Sequence, residues 1–113
     1  MLPDNIPLKV PKEVAEQKIK NQIEKGNSIR ELVLETQTHY EQAKQTNDRW
    51  VKSNTDMLSS LFNEPSIANQ FPAFHWPSDQ EKAELYIVLN NFRESIKQGV
   101  RYLQTILEKL HSQ

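Results

Sequence analysis

Apolar positions recur at alternating gaps of four and three residues in two long runs, separated by a stretch holding three prolines. The first run steps through Ile29, Val33, Thr36, Tyr40, Ala43, Asn47, Trp50, Asn54, Met57 and Leu61. The second steps through Leu85, Leu89, Phe92, Ile96, Gly99, Leu103, Ile106 and Leu110. A period of about 3.5 residues is the mark of helices packed along a shared seam, as in coiled coils. Each run has its own start signal. Ser28-Ile29-Arg30-Glu31 and Ser78-Asp79-Gln80-Glu81 both read as capping boxes, in which hydroxyl and carboxylate satisfy two orphan amide donors at a helix start. These signals predict a helix over residues 29–62 and another over 79–111. The short polar run Thr46-Asn47-Asp48 could cap a new helix, but no Gly or Pro breaks the seam before Pro65, so one long helix is expected there.

A shorter helix precedes them. Pro11 suits a helix start and Gly26 a left-handed stop, so helix one is expected over 11–25, with Ala15, Ile19, Gln22 and Ile23 forming a one-sided stripe. Residues 1–10 hold two prolines and no periodicity, which predicts an extended arm. The connector, 63–78, is expected to be ordered, with a short helix over Pro65 to Phe71. At ~1.5 Å per residue the two seam helices are matched rods on the order of 50 Å, and the connector can turn them antiparallel. The expected fold is therefore all-α: a long antiparallel helical hairpin with the shorter first helix packed on it, a three-helix bundle in one domain over 11–113. Gly99, costly in a helix interior, implies close approach of another helix at the level of Trp50.

Composition narrows the function classes. The 113 residues carry 14 Lys+Arg against 15 Asp+Glu, so no basic excess points to nucleic acid. Cysteine is absent, which removes disulfides and thiolate chemistry and makes the cytoplasm the default compartment. A hydrophobic content of 36% with no long apolar run gives no membrane span.

Candidate chemistry is sparse. Glu108 and His111 form an E-x-x-H that places carboxylate and imidazole on one face, but a dimetal centre needs a second such pair, and none exists. Glu35 and His39 also share a face, a spacing better explained as a solvated pair. None of Arg49, Arg93 and Arg101 has the closely following His that marks ribonucleases of the HEPN type. With three scattered His and no Gly-rich loop, neither an enzyme, nor a metal, nor a cofactor is expected. The aromatics offer more. Phe74, His75 and Trp76 in the connector either cover the end of the bundle or anchor a partner, and Trp50 and Asn54 on the seam either pack inside or fix a self-association register.

The run Val10-Pro11-Lys12-Glu13 leading into Gln22-Ile23-Glu24-Lys25-Gly26 is the first part of a wider pattern. Arg49-Trp50, Asn54, Met57-Leu58 and Leu61-Phe62 continue it, and Ile96 to Val100, Leu103 and Ile106-Leu107 close it. Together they resemble a helical module of bacterial multidomain proteins, the N-terminal partner of TIR-like nucleotide-binding or other effector domains of antiphage defence. The resemblance spans about Val10 to Leu110 and implies a non-catalytic regulatory, oligomerising or adaptor role, with the chemistry in another domain. Residues Phe71 to Pro77 fall outside its pattern, so it assigns no site there.

The leading expectation is thus a non-catalytic protein-interaction or oligomerisation module. A first helix of about 15 residues covers under half of a ~50 Å groove, which predicts a homodimer through the uncovered seam. The partner-binding residues expected are Trp50, Asn54, Phe74, His75 and Trp76. The alternative is a sensor of a nucleotide-type small ligand, with a pocket at the aromatic connector lined by Phe74, His75 and Trp76.

Overall fold

Pro11 caps the first helix of the computed structural model, which describes residues 6–32, 35–72 and 85–112. Its carbonyl accepts from the amides of Val14 and Ala15, and helix α1 runs Lys12–Arg30. Gly26 does not stop it. The glycine is helical and buried, and the helix continues to bury Ile29 one turn later. Ser28, expected to cap a second helix, instead lies inside α1 and donates its hydroxyl to the Glu24 carbonyl at 3.1 Å.

The second helix, α2, spans Gln37–Leu61 and starts at a different box. Thr36 Oγ1 accepts from the His39 amide at 3.1 Å, while His39 Nδ1 accepts from the Glu35 amide at 3.2 Å. The Thr36 hydroxyl caps the helix as in a capping box, while the imidazole accepts from the amide one residue before the cap rather than from the cap's own. It gives Glu35 and His39 a structural role rather than an ion pair. The helix runs unbroken through Thr46-Asn47-Asp48, where Thr46 bonds back to the Gln42 carbonyl. It ends because Phe62 turns extended and pairs with Leu8 in an isolated antiparallel bridge, flanked by bonds from Lys9 to Leu61 and from Asn63 to Pro7. In the described part of the arm, Leu8 makes this bridge and Ile6 is buried. Helix α3, Pro65–Asn69, has Pro in its first turn, and α4 covers Leu85–Ser112; the Ser78 box lies outside the described residues.

Helix direction departs from the expected hairpin. Along α1, Glu16 faces His111, Gly26 faces Val100, and the Leu32 carbonyl meets Arg93, so α4 runs opposite to α1. Likewise Lys9 meets Leu61, Gln22 meets Ser53 and Gly26 meets Trp50, so α2 also runs opposite to α1. Helices α2 and α4 therefore run the same way, and α1 is the antiparallel partner of both. A hairpin needs a tight turn, whereas the link from Phe62 to Leu85 is long enough to carry the chain back. The return begins with α3: the Tyr102 hydroxyl donates to the Ile67 carbonyl, and the Phe71 ring stands 5.9 Å from that of Tyr102.

The core runs the length of this 45 × 23 × 19 Å bundle. Ala15, Ile19 and Ile29 of α1 meet Phe92, Ile96, Val100, Leu103, Ile106 and Leu110 of α4, with Leu58, Leu61, Phe62 and Ile67 joining from the α2–α3 side. Trp50 lies at its centre. A Cβ placed on Gly26 would fall 2.5 Å from Trp50 Cζ2 and 2.7 Å from Val100 Cγ2, and one on Gly99 would fall 2.9 Å from Trp50 Cη2. The expected close approach at Gly99 is thus present, and both glycines of the chain serve the same indole.

The seam expected to stay open is covered within one copy. Ala43, Asn47, Trp50, Asn54 and Leu61 are all buried, and among the described residues the large apolar side chains most exposed are Val14 and Leu32, at about two-fifths each. Helix α1 is longer than expected, at 19 residues, and covers more of its neighbours. The α2 seam over residues 43–61 is therefore not the uncovered apolar flank that predicted a homodimer.

Candidate functional site

Trp50 and Asn54 are both buried. Trp50 is 5% exposed; its indole Nε1 donates to the Gln22 carbonyl at 3.0 Å, and its ring meets Phe71 edge-on at 5.6 Å. Asn54 is completely buried, and neither its carboxamide oxygen nor its nitrogen has a hydrogen-bond partner among the described residues. Such orphans are rare, because desolvation is left uncompensated. Phe74, His75 and Trp76 lie outside the described residues, and with them the connector pocket.

What the structure does assemble is a groove along the outer face of α1 and α2. From α1 it takes Lys18, Asn21, Gln22, Lys25, Ser28 and Ile29, a helical stripe at three- and four-residue steps. From α2 it takes Thr46, Arg49, Trp50 and Ser53, continuing to Asp56, Met57 and Ser60 at the same steps. Two depressions of about 260 and 420 Å³ follow one another along it, a third of about 490 Å³ lies beside them on α2, and all three share Ser53. Because the two helices are antiparallel, Gln22 Nε2 reaches Ser53 Oγ at 2.7 Å, and this bond closes the groove floor. Gln22 Oε1, sealed beneath, has no partner among the described residues.

The groove's charge is unlike that of the whole chain. Among the described residues lining these depressions, four cations, Lys18, Lys25, Arg49 and Lys52, stand against one carboxylate, Asp56. Lys52 is held by Asp56 at 3.0 Å. The other three take part in no ion pair among the described residues. Taken one helix at a time, these side chains belong to solvated faces; the i, i+3, i+4, i+7 polar stripe is visible on each helix, but only the pairing of α1 with α2 brings the stripes together.

Other polar groups are occupied in the fold. His111 Nδ1 lies 3.6 Å from Glu16 Oε1, so it links α4 to α1. Among the described residues no group of three His, Asp or Glu could hold a metal ion, and no helix is long and apolar enough to cross a membrane. Burial pushes the Tyr102 phenol up to about 12 and raises that of Tyr40. A further depression, of about 450 Å³ between the end of α1 and α4, mixes Arg30, Arg93 and Lys97 with Glu31 and Glu94, and its charges balance more closely. No family model matches the chain, and no curated protein or solved structure is similar to it, so the likeness to effector-partner modules gains no support from known relatives.

Proposed function

We propose that the chain is a non-catalytic interaction module that holds a protein partner along the α1–α2 groove. The observation that carries this reading is the set of three cations without ion-pair partners among the described residues, aligned on a rigid floor fixed by Trp50 and the Gln22–Ser53 bond. Side chains held on regular helices around a packed centre meet a partner with little ordering cost, the condition that favours tight docking. The α2 seam residues Ala43, Trp50 and Leu61 are buried, which favours a different protein over a second copy as the partner. The resemblance to the helical partners of TIR-like effectors supplies its class: an effector domain of bacterial defence, on the same polypeptide or from a neighbouring reading frame, in the cytoplasm.

Co-expression with the neighbouring gene product, followed by size-exclusion chromatography with light scattering, tests this. A stoichiometric complex that is lost in the K25E/R49E variant is expected. A complex that survives charge reversal, or no complex with either neighbouring product, contradicts the reading.

A further inference from the structure

From the groove's charge and shape we infer that its occupant is an acidic helical segment of the partner, with carboxylates falling on Lys18, Lys25 and Arg49. This rests on the interaction reading and adds the chemistry of the partner. The chain as a whole carries a net charge of −1, yet this strip has four cations and one carboxylate, and that carboxylate is already taken by Lys52. The match called for is therefore negative.

Spacing favours a helix over a compact ligand. Lys18 and Lys25 are seven residues apart on one face of α1, two turns or about 10.5 Å, the same step as carboxylates seven apart on an incoming helix. Arg49 stands across the groove near the second of them, beside the Trp50–Gly26 contact. Lys25 and Arg49 share one depression while Lys18 lines the next, so the charge extends along the groove beyond one compact site. Between them the floor offers Ile29, Met57 and the small hydroxyl side chains Ser28, Ser53 and Ser60, which let a helix lie close, the arrangement of helix-in-groove recognition. Single-stranded nucleic acid is disfavoured because it needs exposed ring faces to stack on, and the one aromatic lining the groove among the described residues, Trp50, has its ring committed to Gly26, Gly99 and Phe71.

The test is a titration of the isotope-labelled full chain, followed by amide shifts, with a synthetic amphipathic Glu/Leu peptide. Its Gln/Leu counterpart, inorganic phosphate and a short oligodeoxythymidine serve as comparison probes. The acidic peptide is expected to move groove residues from Lys18 to Ile29 and from Thr46 to Ser60, and to weaken with added salt. It should bind at least about tenfold more tightly than the Gln/Leu peptide and than to K25E/R49E, or to K25Q/R49Q should the reversal disturb folding. The K20E variant, changed off the groove, should bind as the parent does. Equal affinity for both peptides, no shift in the groove, or equal occupation by phosphate or oligodeoxythymidine overturns the inference. If the effector complex still forms and still depends on Lys25 and Arg49 while the acidic peptide fails, the acidic-helix inference falls and the interaction reading stands. If that complex is indifferent to both residues, the reading itself falls.

Discussion

Helix α1 meets its two antiparallel neighbours in different ways. Toward α4 it presents Ala15, Ile19, Gly26 and Ile29, all buried, against a continuous apolar stripe, with the two backbones close enough that Gly26 alone fits against Val100 and Trp50. Toward the outer side of α2 it presents Lys18, Asn21, Lys25 and Ser28, and the indole of Trp50 fills the space beneath them. One side of the helix is used up by folding, and the other is held rigid by it. The contrast separates residues whose loss should unfold the protein from residues whose loss should leave it folded and unable to bind.

The strongest way to break this contrast is at Trp50. Trp50→Ala should cost about 3–5 kcal/mol in denaturant unfolding, the range for deleting a large buried aromatic. A loss below about 1 kcal/mol would mean the indole does not hold the two helices together. Next comes Gly26→Ala. Alanine is about 1 kcal/mol the better helix former. Its Cβ would nonetheless collide with Trp50 and Val100, so a net loss of about 1–3 kcal/mol is expected. In a Trp50→Ala background the loss should shrink, the Val100 contact remaining, and persistence of the full loss there would remove the proposed Trp50 contact.

Asn54→Leu sharpens the picture from the other direction. Leucine has the same branched outline and no polar atoms to leave orphaned, so stability should rise by about 1–2 kcal/mol. A fall of that size would show that the carboxamide is satisfied. The smallest effect expected is at Tyr102. Loss of its bond to the Ile67 carbonyl in Tyr102→Phe should cost about 1 kcal/mol at neutral pH. Its folded pKa lies above the ordinary phenol value of 10.0, at about 12, so its stabilising contribution is complete below pH 10. Between about pH 10 and 12 the unfolded chain releases the proton that the folded chain keeps, and stability falls as pH rises. Urea midpoints across that range should show this decline in the parent and a shallower one in Tyr102→Phe; parallel profiles would contradict the burial of the phenol.

Much of the local structure is legible in the amino-acid pattern. The seam period marks α2 as one helix despite Thr46-Asn47-Asp48. Gly99 points to Trp50, because a glycine inside an apolar helical stripe loses helix propensity without gain unless a bulky neighbour needs the space. Gly26 shows the limit. The same residue type marks a helix stop and a close helix crossing, and choosing between them needs the neighbour, not the sequence beside it. The true start of α2 carries a hydroxyl cap at Thr36 with the His39 imidazole bonded to the Glu35 amide, a less familiar pattern than the Ser28-to-Glu31 box. Helix direction is harder: equal rod lengths suggest a hairpin, yet the length of the connector is the better guide. The groove cannot be read at all from one helix, since Lys18 and Lys25 on their own look like any solvated face. Of the expected site residues, Trp50 lies under the candidate surface rather than on it, and Asn54 inside the core.

The most direct measurement of the division of labour in α1 compares the Lys18→Glu, Lys25→Glu, Arg49→Glu triple variant with the parent for both unfolding midpoint and partner binding. Exposed cations without ion-pair partners contribute little to folding, within about 0.5 kcal/mol each, so the midpoint should stay close to the parent's while association with the effector is lost. A triple variant that unfolds readily, or that stays folded and binds as before, would contradict it.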